Sequence, residues 1–433
     1  MKYFNIIILL FLSLTTLSQE KMTLESAINK AMEKNFDIQK VNNNLQVAKN
    51  NKSIFNSGYL PTVSATAGGS YDNANSFFIL QNDTETETKG AESVKYNGGV
   101  TLNYVLFDGF NRKNQFAKLK TLYKLADVQK KDLINNVLYN VYDSYYTISR
   151  TKLRKKVLEE AFEISKQRLI RVSYQFNYGQ ATKLKVLNAK VDANNDSLNL
   201  INIQVQLENA KRNLNYLIGN NIDTKFEVEE SIEIDKTMNY VDISQNVEAN
   251  NYQLKQVEFN KTVSNYDLNS SKSGYIPRVT TSAGYSLNNA SYEGQPLFKT
   301  QNTSGVNVGL NLSWNLFDGG TTKTRVQNAQ INLMNQELNS RQIKLELQNQ
   351  LANTWANYQL QIASVSSEKL NVELSNQNFK RTKERYDLGQ ISSIDFRQAQ
   401  LNLVNSKMNL IEAQFGTKLA ELQLKKLGGV LVK

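Results

Sequence analysis

The 433-residue chain contains no cysteine and no histidine. No disulfide, thiolate nucleophile, Cys/His zinc site or imidazole acid–base is therefore available. A Ser-His-Asp triad is excluded for the same reason. Proline and glycine are scarce as well, at 3 and 20 residues, under the usual ~5% and ~7% of globular chains. So few helix breakers permit unusually long helices. Beyond the first residues no apolar stretch approaches the ~18 residues of a membrane-spanning helix. Carboxylate chemistry stays open. No paired-acid motif of defined spacing, glycine-rich phosphate loop or metal-ligand cluster accompanies it, and no cofactor is expected.

What the chain does carry is positive charge, 51 Lys+Arg against 40 Asp+Glu, a net +11. Those charges are scattered along polar stretches beside many Asn and Gln. They read as a solvated helical exterior and not as a nucleic-acid surface. The strongest apolar run stands at the start. Lys2, an apolar core from Phe4 to Leu17, and the small Thr16 and Ser18 before Gln19 make a secretory signal peptide over residues 1–18. A short membrane anchor is the alternative, and a lipoprotein anchor is excluded because no cysteine follows. The mature chain is expected to be exported and to begin near Gln19.

The chain is also written twice. Tyr59-Leu60-Pro61 recurs as Tyr275-Ile276-Pro277, 216 residues on. Leu106-Phe107-Asp108-Gly109 recurs unchanged as Leu316-Phe317-Asp318-Gly319, a shift of 210. Phe176-Asn177-Tyr178-Gly179-Gln180 matches Tyr386-Asp387-Leu388-Gly389-Gln390, again 210, and Leu217-Ile218-Gly219 aligns with Lys426-Leu427-Gly428 at 209. The drop from 216 to 210 puts six extra residues in the first copy, between its first two anchors. Repeat 1 spans residues 19–222, an acidic joining segment 223–241, and repeat 2 residues 242–433.

Each copy predicts a helix, two strands, a very long helix, a turn and a return helix. The opening helices are expected from Leu24 to Ser57 and from Val241 to Ser273, ended by Pro61 and Pro277. Strands are expected near 62–71 and 96–107, and near 278–288 and 304–317. They alternate with period two: Val306, Val308, Leu310, Leu312, Trp314 and Leu316 share one face, and Asn307, Gly309, Asn311, Ser313 and Asn315 the other. An ordinary sheet packed on a helix fits this pattern, and so does a membrane strand of 9–11 residues with Tyr71, Tyr104, Tyr285 and Trp314 as interfacial aromatics. The segments Asp72–Asn97 and Asn288–Thr303 are read as loops between paired strands. The long helices, near 110–175 and 320–385, lack proline and glycine from Asn111 to Gln175 and from Thr321 to Arg385; 65 residues would reach roughly 100 Å. Return helices follow near 182–218 and 392–427. In the acidic segment Asp223, Glu227, Glu229, Glu230, Glu233 and Asp235 surround Lys225. A girdle laid on the helices and a disordered linker are both compatible with it.

If the strands enter lipid, four of them leave two unsatisfied edges. Small barrels need at least about eight strands, so at least two chains would have to share one barrel.

The duplicated order, the Tyr-x-Pro elements, the Leu-Phe-Asp-Gly exits and the Phe/Tyr-x-x-Gly turns resemble the TolC-like outer membrane efflux proteins. Val186-Leu187-Asn188-Ala189 and the closing Leu-x-x-Leu-x-Gly elements are similar too. The resemblance covers about Thr23 to Gly428. It implies a membrane α+β fold, a homotrimeric duct in which four strands per chain make a twelve-stranded barrel continued by a periplasmic α-helical barrel. It also implies an outer membrane exit duct of a tripartite efflux pump or type I secretion system. Its partners would be outer membrane lipid, a periplasmic adaptor (membrane fusion) protein and, through it, an inner membrane transporter.

By the same resemblance Asp395 falls on the first acidic position of the periplasmic constriction. The second position holds Gln398, a departure from the family pattern, and the first-copy counterparts are Lys185 and Asn188. Lys185 or Arg397 would offset the Asp395 charge. The turns Gly179, Gln180, Ala181 and Gly389, Gln390, Ile391 would be the adaptor-docking tips. Pro61 and Pro277 open the strands, and Asp108, Gly109, Asp318 and Gly319 form the strand-to-helix turns. The competing class is a soluble exported coiled-coil structural or adaptor protein, though an adaptor would carry a single helical hairpin with separate β-domains.

Overall fold

A computed structural model describes residues 20–230, 232–235, 237–293 and 299–431; the expected signal peptide lies outside the described residues. The chain forms two compact units. One holds the described residues up to 44, residues 128–255 and those from 342 onward; the other holds residues 45–127 and 256–341.

The duplication is visible in the element boundaries. Helices α1 (Leu24–Lys34) and α2 (Phe36–Asn51) open the first copy. Strands β2 (Thr62–Ile79) and β3 (Glu85–Phe107) follow, then α3 (Asn111–Asn177) and α4 (Lys183–Leu217). The second copy runs α5 (Tyr240–Asn250), α6 (Tyr252–Lys272), β5 (Arg278–Glu293), β6 (Thr300–Ser313), α7 (Thr321–Asp387) and α8 (Ser393–Leu427). Both long helices have 67 residues and both return helices 35. The starts of β2 and β5 are 216 apart and those of α3 and α7 are 210 apart. The six additional residues therefore lie in the first hairpin.

Four expectations are corrected. The opening helices are not continuous. Asn35 and Asn251 take extended backbone and divide each into two. The closing glycines match as Gly219 and Gly429, both left-handed at φ +68° and +66°, whereas Gly428 is right-handed helical; the offset is 210 here as well. The supposed loops are mostly strand. The first hairpin turns only between Ile79 and Glu85, and β5 continues to Glu293. These outer portions mix Thr, Ser, Asn and Glu on both faces, so no apolar alternation marks them. Conversely β6 stops at Ser313, short of 317, opposite Arg278 where its one partner strand β5 begins.

In the first unit the helices share two cores built from equivalent positions. Ala27, Ala31, Val141, Ile148, Ala210 and Leu214 belong to one; Ile243, Val247, Leu351, Tyr358, Ala420 and Leu424 belong to the other, at the same two offsets. Described residues of the acidic joining segment, Phe226, Val228 and Ile232, lie against the first core. The segment's strand β4 (Phe226–Val228) pairs in parallel with β1 (Glu20–Met22). The Tyr145 hydroxyl donates to the Met22 carbonyl at 3.2 Å and accepts from the Glu229 amide at 3.3 Å. Glu227 takes Lys211 at 2.8 Å and Lys152 at 3.2 Å, and Glu230 takes Lys152 at 3.3 Å. The segment's excess of acids is thus met by lysines of α3 and α4.

The helix breaks are a duplicated device. The Asn35 side-chain oxygen accepts from the Asp37 and Ile38 amides, capping α2, while its amide donates to the Leu217 carbonyl at 2.8 Å. Asn251 does the same for α6, accepting from Gln253 and Leu254 and donating to the Leu427 carbonyl at 3.0 Å. The return helix ends against that break. A Cβ on Gly219 would stand 2.6 Å from the Lys34 carbonyl oxygen, and one on Gly429 2.9 Å from that of Asn250. Glycine is required at both ends by contact as well as by φ. We expect Asn35→Ala and Asn251→Ala each to lower unfolding free energy by ~1–3 kcal/mol, since a cap and a buried carbonyl partner are lost together. Asp substitutions, which keep the cap but not the donor, should recover part of that loss in detergent denaturation curves.

Candidate functional site

Two regions bear on function, one in each unit. The first is the sheet. Its order is β2-β3-β5-β6, all antiparallel, so the copies join through β3 and β5. The register carries one face across all four strands. Val63 lies opposite Leu102, Leu102 opposite Ala283, and Ala283 opposite Val308. One step along, Ala65, Val100, Tyr285 and Val306 form the next row. The other face presents rows such as Ser64, Thr101, Gly284 and Asn307.

In a water-soluble sheet the apolar face would be covered. Here Val306 and Val308 are each 76% exposed, and Leu310 and Leu312 nearly as much. β2 and β6 pair on one side only. Each strand, at 14 to 23 residues, is longer than the 9–11 residues of a tilted membrane crossing.

The strand-to-helix turns explain the repeated Leu-Phe-Asp-Gly. Asp108 accepts from the Arg112 amide at 3.0 Å and from its guanidinium at 3.2 Å, capping α3. Asp318 accepts from the Gly320 and Thr322 amides and caps α7. Hydrogen bonding from Thr322 holds the Asp318 carboxyl below its ordinary value of 3.8. Gly109 and Gly319 are left-handed, and a Cβ on Gly109 would meet Ile276 at 3.0 Å. The indole of Trp314 donates to the Tyr275 carbonyl at 3.1 Å, tying the end of β6 to the Tyr-x-Pro element.

The second region is the pair of turns between long and return helices. Gly179 and Gly389 are left-handed, at φ +72° and +74°. The Gln180 amide donates to the Gln175 carbonyl and that of Gly179 to Phe176; Gln390 and Gly389 repeat the pattern with Arg385 and Tyr386. Both turns are Schellman closures. Side chains around them stay uncovered, with Tyr178 80% and Leu388 72% exposed.

Against this geometry stand the comparisons. The family model for "Outer membrane efflux protein" matches residues 27–220 and 243–430. The chain belongs to the outer membrane efflux protein family. Among relatives, the outer membrane protein TolC of Salmonella enteritidis is 21% identical over 356 residues, 80% of this chain and 71% of its own. The outer membrane efflux protein BepC of Brucella suis is 19% identical over 406 residues, 93% and 84%. In fold the chain is similar to the Campylobacter jejuni CmeC outer membrane channel, at TM-score 0.78 and 16% identity over 94% of this chain and 86% of that one. The open-state MtrE outer membrane channel of Neisseria gonorrhoeae gives 0.71 and 16% over 94% and 89%. As an efflux family member the protein is placed in the outer membrane.

Within this family fold, the residues expected at the constriction are exposed and separate. Asp395 closes a capping box: its amide donates to the Ser392 hydroxyl at 3.2 Å, and its carboxylate accepts from that hydroxyl at 2.7 Å and from the Ser392 amide at 3.3 Å. Gln398 donates to Asn402, while Lys185 and Asn188 are exposed on α4. Among the described residues no ion pair joins Lys185 to Asp395. Arg397 does not offset Asp395 either, because it is turned into the protein. Its guanidinium donates to both Asp196 oxygens, at 2.6 and 2.8 Å, and lies 3.7 Å from Asp192.

That buried cluster is the element sequence reasoning missed. Arg168 pairs with Asp192 and donates to the Ser393 carbonyl at 3.3 Å. Ser165 donates to Asp196, and Gln400 donates to the Ala161 carbonyl at 2.9 Å and to Ser165 at 3.2 Å. Burial opposes the charge on Arg397, yet its bonds to Asp196 and the nearby Asp192 charge outweigh it and raise its pKa. Beside it Arg171 pairs with Asp387 and stacks over Tyr386, which itself stacks on Phe396 at 4.6 Å. One signal was present: Asp196 continues the buried stripe of Ala189 and Ala193 on α4, and an acid on an apolar stripe needs a cation. We expect Arg397→Gln to cost ~3–5 kcal/mol by stranding a buried carboxylate, and Asp395→Ala only ~1 kcal/mol for the exposed cap. Denaturation in detergent would separate the two.

Proposed function

We propose that three copies of this chain close their sheets into a twelve-stranded barrel and form a passive exit duct of a tripartite efflux pump or type I secretion system. The observation that carries this reading is the exposed apolar face on a four-stranded sheet with two open edges. Hydrocarbon cannot satisfy the free N–H and C=O groups of β2 and β6. Pairing β2 of one copy with β6 of the next satisfies both. The polar face of Ser, Thr, Asn and Gly then lines the lumen, and the helices continue the passage into the periplasm. An exported chain with residues 1–18 as signal peptide agrees with the family's outer membrane location. A soluble coiled-coil protein would have no use for the exposed apolar rows.

In this reading the turns at Gly179, Gln180, Ala181 and Gly389, Gln390, Ile391 dock a periplasmic adaptor, which links the duct to an inner membrane transporter. The exposed Tyr178 and Leu388 beside them offer apolar contact area. Asp395 and Gln398, with Lys185 and Asn188, line the periplasmic constriction. The ring is then three Asp395 carboxylates alone, because neutral Gln398 stands at the second acidic position, so strong cation selectivity is not expected.

Mild-detergent extracts of outer membranes should yield a particle with three times the chain mass. A monomer needing no detergent would overturn the shared barrel. Photo-crosslinkers at Gln180 and Gln390 should capture an adaptor in cells, and capture of lipid or self alone would remove the docking role. In planar bilayers Asp395→Ala should change conductance and ion selectivity modestly; unchanged values would take Asp395 out of the constriction.

A further inference from the structure

The two copies differ at one strained position. After the paired glycines Gly109 and Gly319, the second copy places Gly320 at φ +88°, but the first places Phe110 at φ +67°. A bulky aromatic in the left-handed region is an outlier that persists only where something compensates it. Nothing lies within 4 Å of a Cβ at Gly320, so space does not explain the difference between the copies. Nor does burial, because the Phe110 side chain is 56% exposed.

The register shows which way this ring belongs. A bulge between Val105 and Phe107 adds one residue to β3 and brings Phe107 opposite Val279. Val279 in turn lies opposite Leu312, so Phe107 joins the exposed apolar face. Phe110 packs edge-on against Phe107 with centroids 5.5 Å apart. It therefore extends the apolar face by one ring past the end of the strand. Lys113, exposed one turn into α3, holds its ammonium 5.9 Å from the Phe110 centroid. Among the described residues no carboxylate pairs with it.

We propose that Phe110 and Lys113 are a phospholipid anchor. The ring enters the boundary between headgroups and acyl chains, and the ammonium meets a lipid phosphate. Aromatic rings with flanking cations are the side chains favoured at this depth. The lipid contact adds to the Phe107 and Lys113 contacts that hold the ring in this backbone state, and the glycine copy has no such role. This inference rests on the lipid reading of the apolar face.

Because the chain lacks cysteine, single spin labels can be placed without background. Phe110→Cys, Leu310→Cys and Lys383→Cys proteins would be labelled and reconstituted in phosphatidylethanolamine/phosphatidylglycerol vesicles. Accessibility to oxygen and to a water-soluble nickel chelate would then be compared. The label at 110 should favour oxygen over nickel far more than that at 383, and less than that at 310. A label at 110 as nickel-accessible as 383, with 310 in lipid, overturns the anchor alone. Shielding from both relaxers shows a protein contact and overturns it too. Water exposure at both 110 and 310 removes the lipid reading itself.

Phe110→Gly gives an independent readout, since it copies Gly320 and relieves the backbone. It should leave the denaturation midpoint in detergent unchanged or higher, and lower the urea concentration at which the protein unfolds from vesicles. Equal destabilisation in both media would mean that the ring is only a packing element, and the anchor would fall.

Discussion

Backbone hydrogen bonding at the edges of the sheet is the constraint on which the functional reading depends. An antiparallel sheet with one apolar face can satisfy itself in water by covering that face, or in lipid by closing its edges. This chain leaves the face bare over all four strands and ends the sheet with two unpaired strands. Neither solvent alone tolerates that state: water penalises the rows of Val and Leu, and hydrocarbon penalises the free N–H and C=O groups. Pairing edges between copies would remove the second penalty, and surrounding lipid the first. In the proposed duct the oligomer is the condition for the strand region to enter a membrane, and passage would follow from closure of the barrel.

The helices answer a different problem, how to end and pack segments of 67 residues with almost no breakers. Their solutions are local and are used twice. Aspartates from the Leu-Phe-Asp-Gly turns cap the starts, left-handed glycines close the ends, and asparagines break the shorter helices where the return helices dock. Buried charge appears where α3, α4 and α8 meet, and it is matched there, Arg168 and Arg397 against Asp192 and Asp196. Two arginines facing two aspartates leave no net buried charge, which is the condition for such a cluster to be tolerated in a low-dielectric setting.

Much of this was legible beforehand because it rests on periodicity and on residues with one conformational use. The repeat offsets, the long helices and the glycine turns follow from spacing and from φ > 0, and the strand faces follow from alternation. What escaped was information held in partners. Asn35 sits in a run that reads as good helix, and only the Leu217 carbonyl makes a break favourable there. In the sequence Arg397 reads as free to face a pore because its partners lie some 200 positions away on another helix. The outer halves of the strands were read as loops because both their faces are polar; pairing across strands, not composition, keeps them extended. The match of Gly219 with Gly429 in place of Gly428 was likewise invisible until backbone handedness separated two adjacent glycines.

The uninterrupted character of α3 and α7 has a mechanical consequence. With no proline or glycine inside either helix, neither can bend sharply without breaking several backbone hydrogen bonds together. Compliance is therefore confined to their termini and to the short helices: the glycines at 109 and 319, those at 179 and 389, and the asparagine breaks at 35 and 251. Each long helix is thus a stiff strut, and a change in its own direction has to be taken up at its ends.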